Sequence, residues 1–209
     1  MSNWPVDLAE PLVGPFEAAF DRGGKIARAL DSLGPVADRD CVVVDATAGP
    51  VRRSLTALGA RVVDAPLASP FRLPVGDGSA DCVIGLWSAF RGPVPVEIAE
   101  ADRVLRTGGR LLVIHDYGRD DVSRIRGELP EYGVWSRKSG PFLTGGFRIR
   151  VLHCWWDFDS PEATTTFLTD AFGEAGASVA ATLKRPRLSY NVAIYHRSKP
   201  APGVNGPAR

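Results

Sequence analysis

The sequence predicts an α/β fold, a three-layer sandwich around a mainly parallel sheet that ends in an antiparallel hairpin. Three observations carry this. Several short runs are continuously apolar and β-branched, as strands covered on both faces are. They alternate with segments of helical period, which builds parallel sheets. The last two strand-like runs have no room for a crossover helix, so they read as a hairpin.

The elements follow in order. Phe16, Phe20, Ala27, Leu30 and Leu33 recur near a helical period, predicting one helix over 15–33, with Gly23 and Gly24 as weak points inside it. "DCVVVDA" is a buried strand, and "PVRRSLTALGA" a short helix closed by Gly59. "RVVDA" is the second strand. "ADCVIGLW" is the third, entered through the turn "GDGS". The helix "PVEIAEADRVLRTGG" turns Val96, Ile98, Ala101, Val104 and Leu105 to one face, and "RLLVIHD" is again a buried strand. "SPEATTTFLTDAFGEAG" has a serine N-cap and a proline in its first turn, ahead of Phe167, Leu168, Ala171 and Phe172 at helical spacing. "ASVAATLKRP" and "LSYNVAIYHR" read as the closing hairpin.

Residues 1–14 form an N-terminal segment and 15–198 one domain; 199–209, rich in Pro, Gly and small residues, reads as a disordered tail. The 209 residues suit a single core. A net charge of +1 gives no broad attraction for nucleic acid or membrane. No apolar run approaches the roughly 20 residues of a membrane span. Cys41, Cys82 and Cys154 lie far apart in apolar stretches, and His115, His153 and His196 lack metal-ligand spacing. Buried free thiols, a cytoplasmic location and no metal are therefore expected.

The stretch "DGSADCVIGLW…EADRVLRTGGRLLVIHD", Asp77 to Asp116, resembles the class I S-adenosylmethionine-dependent methyltransferases, with their "DGSFD", apolar strand, helix ending "RVLRPGGRL" and next strand. The likeness extends over most of 41–197. It implies a Rossmann-like, seven-strand-type sheet, one strand short, with its last strand antiparallel. It also implies S-adenosylmethionine as cofactor and a small-molecule acceptor. In that family an acidic residue and a glycine-rich turn follow the first strand. Here "DATAGPV" supplies Asp45, with Thr47, Gly49 and Val51 at the three usual glycine positions. A glycine there lets backbone approach the ligand, and the following helix offers free N–H groups to a carboxylate. Val51 crowds that approach. Only about twenty residues separate Gly59 from the strand near Asp81, so the adenosine half is abbreviated and Asp64 is left to serve one of two acid roles.

Ligands of open α/β sheets bind beyond the carboxyl ends of the strands. The cofactor candidates are Asp45, Ala46, Thr47, Gly49, Asp64, Trp87 and Ser88. His115, Asp116 and Tyr117 are the catalytic candidates, as base or acceptor contacts. Residues 117–158 read as an insertion that caps the pocket and carries eight of the eighteen aromatics. Its Tyr132, Trp135, Trp155 and Trp156 are the substrate-binding candidates. Structural readings stand beside these. Asp116 and Asp120 can cap the helix "RDDVSRIRGEL", "HCWWDF" can be a strand, Arg119, Arg124 and Arg126 a solvated helix face, His196 structural and Asp45 a strand-end cap.

Two functions compete. One is a methyltransferase; the other is a binding or scaffolding protein of the same fold that has lost its cofactor. A nicotinamide oxidoreductase ranks last for want of GxGxxG. The exposed edge at the shortened end of the sheet admits a homo-oligomer.

Overall fold

A computed structural model describes residues 5–44, 49–127, 129 and 131–200. Six strands form one sheet: β1 (Asp40–Val44), β2 (Arg61–Ala65), β3 (Ala80–Gly85), β4 (Leu105–Asp116), β5 (Arg148–Asp157) and β6 (Arg187–Ser198). Their order is β2-β1-β3-β4-β6-β5. Only β6 runs against the rest, pairing antiparallel with β4 on one side and β5 on the other.

The helices are α1 (Glu10–Ala19), α2 (Lys25–Leu33), α3 (Pro50–Ala57), α4 (Pro95–Val104), α5 (Asp121–Arg126), α6 (Pro141–Thr144) and α7 (Pro161–Ala180). One face of the sheet, through Val43, Ile84, Leu112, Ile114, Val192 and Ile194, packs beneath α1, α2, α3 and α7. The other, through Val42, Val44, Val83, Leu111, Val113 and Tyr195, packs beneath α4, α6 and the segment after β2. The central strands are apolar on consecutive residues because both faces are covered.

The structure differs from the sequence expectation at four places, one of them at 105–109, read as the end of a helix but forming the start of β4. The expected helix 15–33 is two helices. The chain leaves α1 at Phe20, Asp21 and Gly24 adopt φ of 44° and 60°, and α2 starts afresh. Asp21 fixes the break, since its carboxylate accepts the backbone N–H groups of Lys25 (3.0 Å) and Ile26 (2.8 Å), two donors that a helix start leaves open. The stretch 177–186, read as a strand, is instead the last turn of α7, which continues past a kink at Gly173 (φ 60°) to Ala180, and the turn that follows. Its alanines favour helix, and Val179 and Ala180 pack toward the core. The sheet therefore closes without a hairpin: β5 is the outer strand, and α7 carries the chain back to β6 between β5 and β4. Finally, Val96 of α4 is 61 % exposed rather than part of the apolar face.

The segment 66–79 is tied to α4 through Glu100, which accepts Leu73 N–H (2.8 Å) and pairs with Arg103 (2.6 Å) and Arg72 (3.0 Å). Cys41, Cys82 and Cys154 are buried thiols, and Cys41 and Cys82 face each other across β1 and β3. Among the described residues no helix is long and apolar enough to cross a membrane, and no group of three metal-ligating side chains occurs.

Candidate functional site

Chain direction across the sheet reverses at β1. The chain steps outward to β2 and then crosses to β3 on the other side, so the crevice beyond the carboxyl ends of β1 and β3 is a topological switch point. Asp45, Ala46 and Thr47, named as cofactor contacts, lie outside the described residues. Gly49 is extended (φ −67°, ψ 168°) and precedes Pro50 in the first turn of α3. Arg53 N–H returns to Gly49 O (3.1 Å). Val51 is 5 % exposed and belongs to the core beneath α3. Asp64, one residue before the end of β2, is partly exposed and pairs with Arg52 of α3 at 3.0 Å.

Trp87 and Ser88 follow β3 and are both buried. Their turn is tight: Ala89 N–H reaches Leu86 O, and Phe90 sits at φ 52°, a left-handed conformation uncommon outside glycine. A Cβ added to Gly85 would come within 2.5 Å of the Phe90 ring, so only glycine lets this turn fold back on the strand.

The strand-end trio His115, Asp116 and Tyr117 does not converge, because successive strand residues point to opposite faces. Asp116 faces the α1 side and His115 the α6 side. Asp116 is the centre of a buried polar cluster. Its Oδ1 accepts Trp87 Nε1–H (3.1 Å) and the Tyr190 hydroxyl, and its Oδ2 accepts Arg126. Trp87 Nε1 also lies 2.8 Å from the Tyr190 oxygen. Burial raises the Asp116 carboxyl above its usual range although Arg126 pulls it down, and burial pushes Tyr190 well up. Tyr190 accordingly keeps its proton and donates it to Asp116. Phe20 of α1 closes the cluster, its ring 5.7 Å from Trp87 and 6.0 Å from Tyr190.

His115 is 1 % exposed. Its Nε2 lies 3.0 Å from Phe90 O, which as a carbonyl can only accept, so the ring carries its hydrogen there. Burial lowers its pKa to about 4. It is a neutral strut holding the turn after β3, packed edge-on against Trp135 at 4.8 Å. Tyr117 is half-buried on the same face, with Arg119 over its ring.

The aromatic candidates separate as well. Tyr132 covers Gly118, where an added Cβ would stand 3.0 Å from its ring, and its hydroxyl is pushed up by burial and by Asp116. Trp135 packs on His115 and Phe142 beneath Arg91. Trp156 is fully buried against Phe16, Phe167 and Tyr190, while Trp155 on the opposite side of β5 lies under Arg187. Tyr132 and Trp135 thus border the strand-end crevice; Trp155 and Trp156 are packing residues of β5.

Asp120, unlike Asp116, is the helix cap: it accepts Ser123 N–H (2.7 Å) and Asn191 N–H (2.7 Å). Sequence reading did not find Tyr190, Phe20 or Glu131 and placed Arg126 in solvent. Tyr190 carried a usable signal, since it alternates with Leu188 and Val192 on one strand face. Glu131 is 6 % exposed; one oxygen holds Arg91 at 3.0 Å, and Oε2 has no hydrogen-bond partner.

No family profile and no curated protein matches this sequence. Solved structures do. A candidate type II methyltransferase of Anaeromyxobacter dehalogenans aligns over 85 % of this chain and 96 % of its own, at 18 % identity and TM-score 0.57. A SAM-dependent methyltransferase of Aquifex aeolicus covers 90 % and 95 % at 15 % identity and TM-score 0.53. A candidate methyltransferase of Bacillus halodurans covers 84 % and 99 % at 15 % identity and TM-score 0.52. At these identities the likeness establishes the fold.

Proposed function

We propose that this chain, which has the class I S-adenosylmethionine-dependent methyltransferase fold, transfers a methyl group from S-adenosylmethionine to a small-molecule acceptor. The observation that carries the reading is the β1/β3 switch point, flanked by Gly49 at the head of α3 and by the buried Trp87–Asp116–Tyr190–Arg126 cluster. The donor set fits the methionine half of the cofactor. The N–H groups opening α3 lack intrahelical acceptors and suit its carboxylate. On the adenosine half, Asp64 would serve one of the two acid roles, and Arg52 must yield to a cofactor hydroxyl or amino group for it to do so. Asp45, Ala46 and Thr47 would complete the cradle, with Trp87 and Ser88 beside the adenosine.

When bound, the cofactor supplies an activated methyl on a sulfonium centre. The protein's part is to align the acceptor, exclude water and take up charge. Asp116, with all its donors fixed, orients Trp87 and the acceptor side of the crevice. Glu131 Oε2, buried and unpartnered, is suited to accept an N–H or O–H of the acceptor, and Tyr132 and Trp135 line the approach. A cytoplasmic location belongs to this reading and is supported by the three free thiols. A second copy would pair along β2, whose Val63 and nearby Leu67 are 41 % and 44 % exposed; light scattering at high concentration tests that.

A second reading, a non-catalytic binding protein, is favoured by Val51, whose side chain is committed to the core where the family has glycine, and by Arg52 occupying Asp64. Thermal unfolding with S-adenosylmethionine and S-adenosylhomocysteine decides between them. Ligand at about 100 times its dissociation constant adds about 2.7 kcal/mol. At this length that raises Tm by roughly 5–10 °C, and Gly49→Val should abolish the shift. A well-folded sample that shifts with neither ligand supports the binding protein.

A further inference from the structure

The net charge of +1 conceals a strongly uneven distribution. On the α2 side of the sheet, at the end opposite the switch-point crevice, Arg110 of β4, His196 of β6, and Arg148 and Arg150 of β5 share one face. Three arginines from two strands converge on His196, whose pKa is lowered by burial and then by each of them. Lys25 and Arg28 of α2 extend the band. The guanidinium groups are anchored by hydroxyls rather than carboxylates: Arg110 Nη1 donates to Ser198 Oγ (2.5 Å) and Arg150 Nη1 to Ser32 Oγ (2.7 Å). Lys25 Nζ rests on His153 O (2.8 Å).

The acids nearest the band are otherwise engaged. Asp21 caps α2, and Asp31 accepts Val36 N–H. Asp40 and Asp81 pair with Arg61, Arg39 and Arg106.

Two grooves run along this band. One of about 410 Å³ lies between α2 and the outer strand, lined by Lys25, Arg28, Ser32, Arg150 and His153. The other, about 460 Å³, lies past the end of α2 among Arg39, Arg106, Gly108 and Arg110. Gly34, in the second groove, presses so closely on Arg110 that an added Cβ would stand 3.0 Å from its side chain.

We propose that this band binds the phosphodiester backbone of a single-stranded nucleic acid, at a site separate from the methyltransferase-like crevice. Five cations that form no ion pair among the described residues, Lys25, Arg28, Arg110, Arg148 and Arg150, follow a path of roughly 25 Å that runs along β5 and then turns across two strand spacings, with Lys25 and Arg28 also in the field of the Asp21 cap. A path of that length, turning a corner, suits a flexible chain of phosphates rather than one small anion or a rigid duplex. None of the large exposed apolar residues, Val63, Leu67, Val94, Val96 and Val134, belongs to the band, as insertion into a lipid surface would require. Neither groove is lined by Phe, Tyr or Trp, and contacts confined to phosphates carry no sequence information, so binding is independent of sequence.

Fluorescence anisotropy with a labelled single-stranded oligonucleotide of about 15 nucleotides tests it, from about 50 to 200 mM salt. Binding should weaken with a log–log slope of about −3.5 for five phosphate contacts, at 0.7 per contact. Arg110→Gln/Arg148→Gln/Arg150→Gln should reduce the slope by about 2 and the affinity at low salt by more than tenfold. Its unfolding temperature and its S-adenosylmethionine response should match the parent. Arg148→Glu alone, on an exposed strand residue, should weaken binding in the same direction. Absence of salt-sensitive binding overturns the proposal, as does parental binding by the triple variant. Equal competition by polyglutamate or by anionic vesicles assigns the band to acidic proteins or membranes and also overturns it.

Discussion

His115 and Asp116 are neighbours in the chain with opposite fates. Asp116 enters a network in which every oxygen is used, and His115 enters an aromatic pocket that keeps it neutral. The second has a measurable consequence. An imidazole whose folded pKa is depressed to about 4 binds fewer protons folded than unfolded near its ordinary 6.5. Its contribution to stability is therefore complete above about pH 6.5 and is lost as pH falls toward 4. Urea unfolding across this window should show the loss, and His115→Gln, which can still donate to Phe90 O, should flatten that part of the profile. A pH–rate profile governed by His115 near 6.5 would contradict its role as a strut.

Between elements, the tie from segment 66–79 to α4 concentrates on Glu100. Its hydrogen bonds with Arg103 hold its pKa down to about 2, against 4.5 for a free glutamate. This is the reverse case: the folded state favours the charged form, so the stabilisation is full above about 4.5 and disappears as pH drops through 2. Glu100→Gln should lose stability at neutral pH and much less at pH 2.5, read by chemical denaturation. At this scale much of the fold was legible. β1 to β4, α3, α4 and the start of α7 each carry a local period and a local stop signal. What was not legible depended on contacts remote in sequence. The apolar period of 15–33 runs through the break at 20–24, and only the bridge from Phe20 to Trp156, with Asp21 turned inward as a cap, shows that two helices are needed. Similarly, nothing within "ASVAATL" says that the strand pairing with β6 comes from residues 148–157, before the helix.

For the molecule as a whole, the candidate site was half legible for the same reason. Strand ends mark where Trp87, Ser88 and Asp116 stand. The groups that complete their environment, Phe20, Arg126 and Tyr190, arrive from α1, α5 and β6 by tertiary packing. Charge shows a parallel contrast: composition averages it to near zero, and folding gathers Arg110, Arg148 and Arg150 onto one face around His196. The two proposals sit at opposite ends of the sheet and fail independently, one by silence toward S-adenosylmethionine, the other by silence toward an oligonucleotide.

The position of β6 also dictates the order of assembly. The last of the six described strands in chain order is interior, wedged between β4 and β5. A ribosome-bound chain that has not yet emitted Arg187–Ser198 holds two strands, of twelve and ten residues, with nothing between them. Their open edges are templates for pairing with other chains. The sheet can close only once 187–198 has joined it, so a version ending at Pro186 should accumulate as aggregate, and adding a peptide spanning 187–198 during refolding should restore soluble protein.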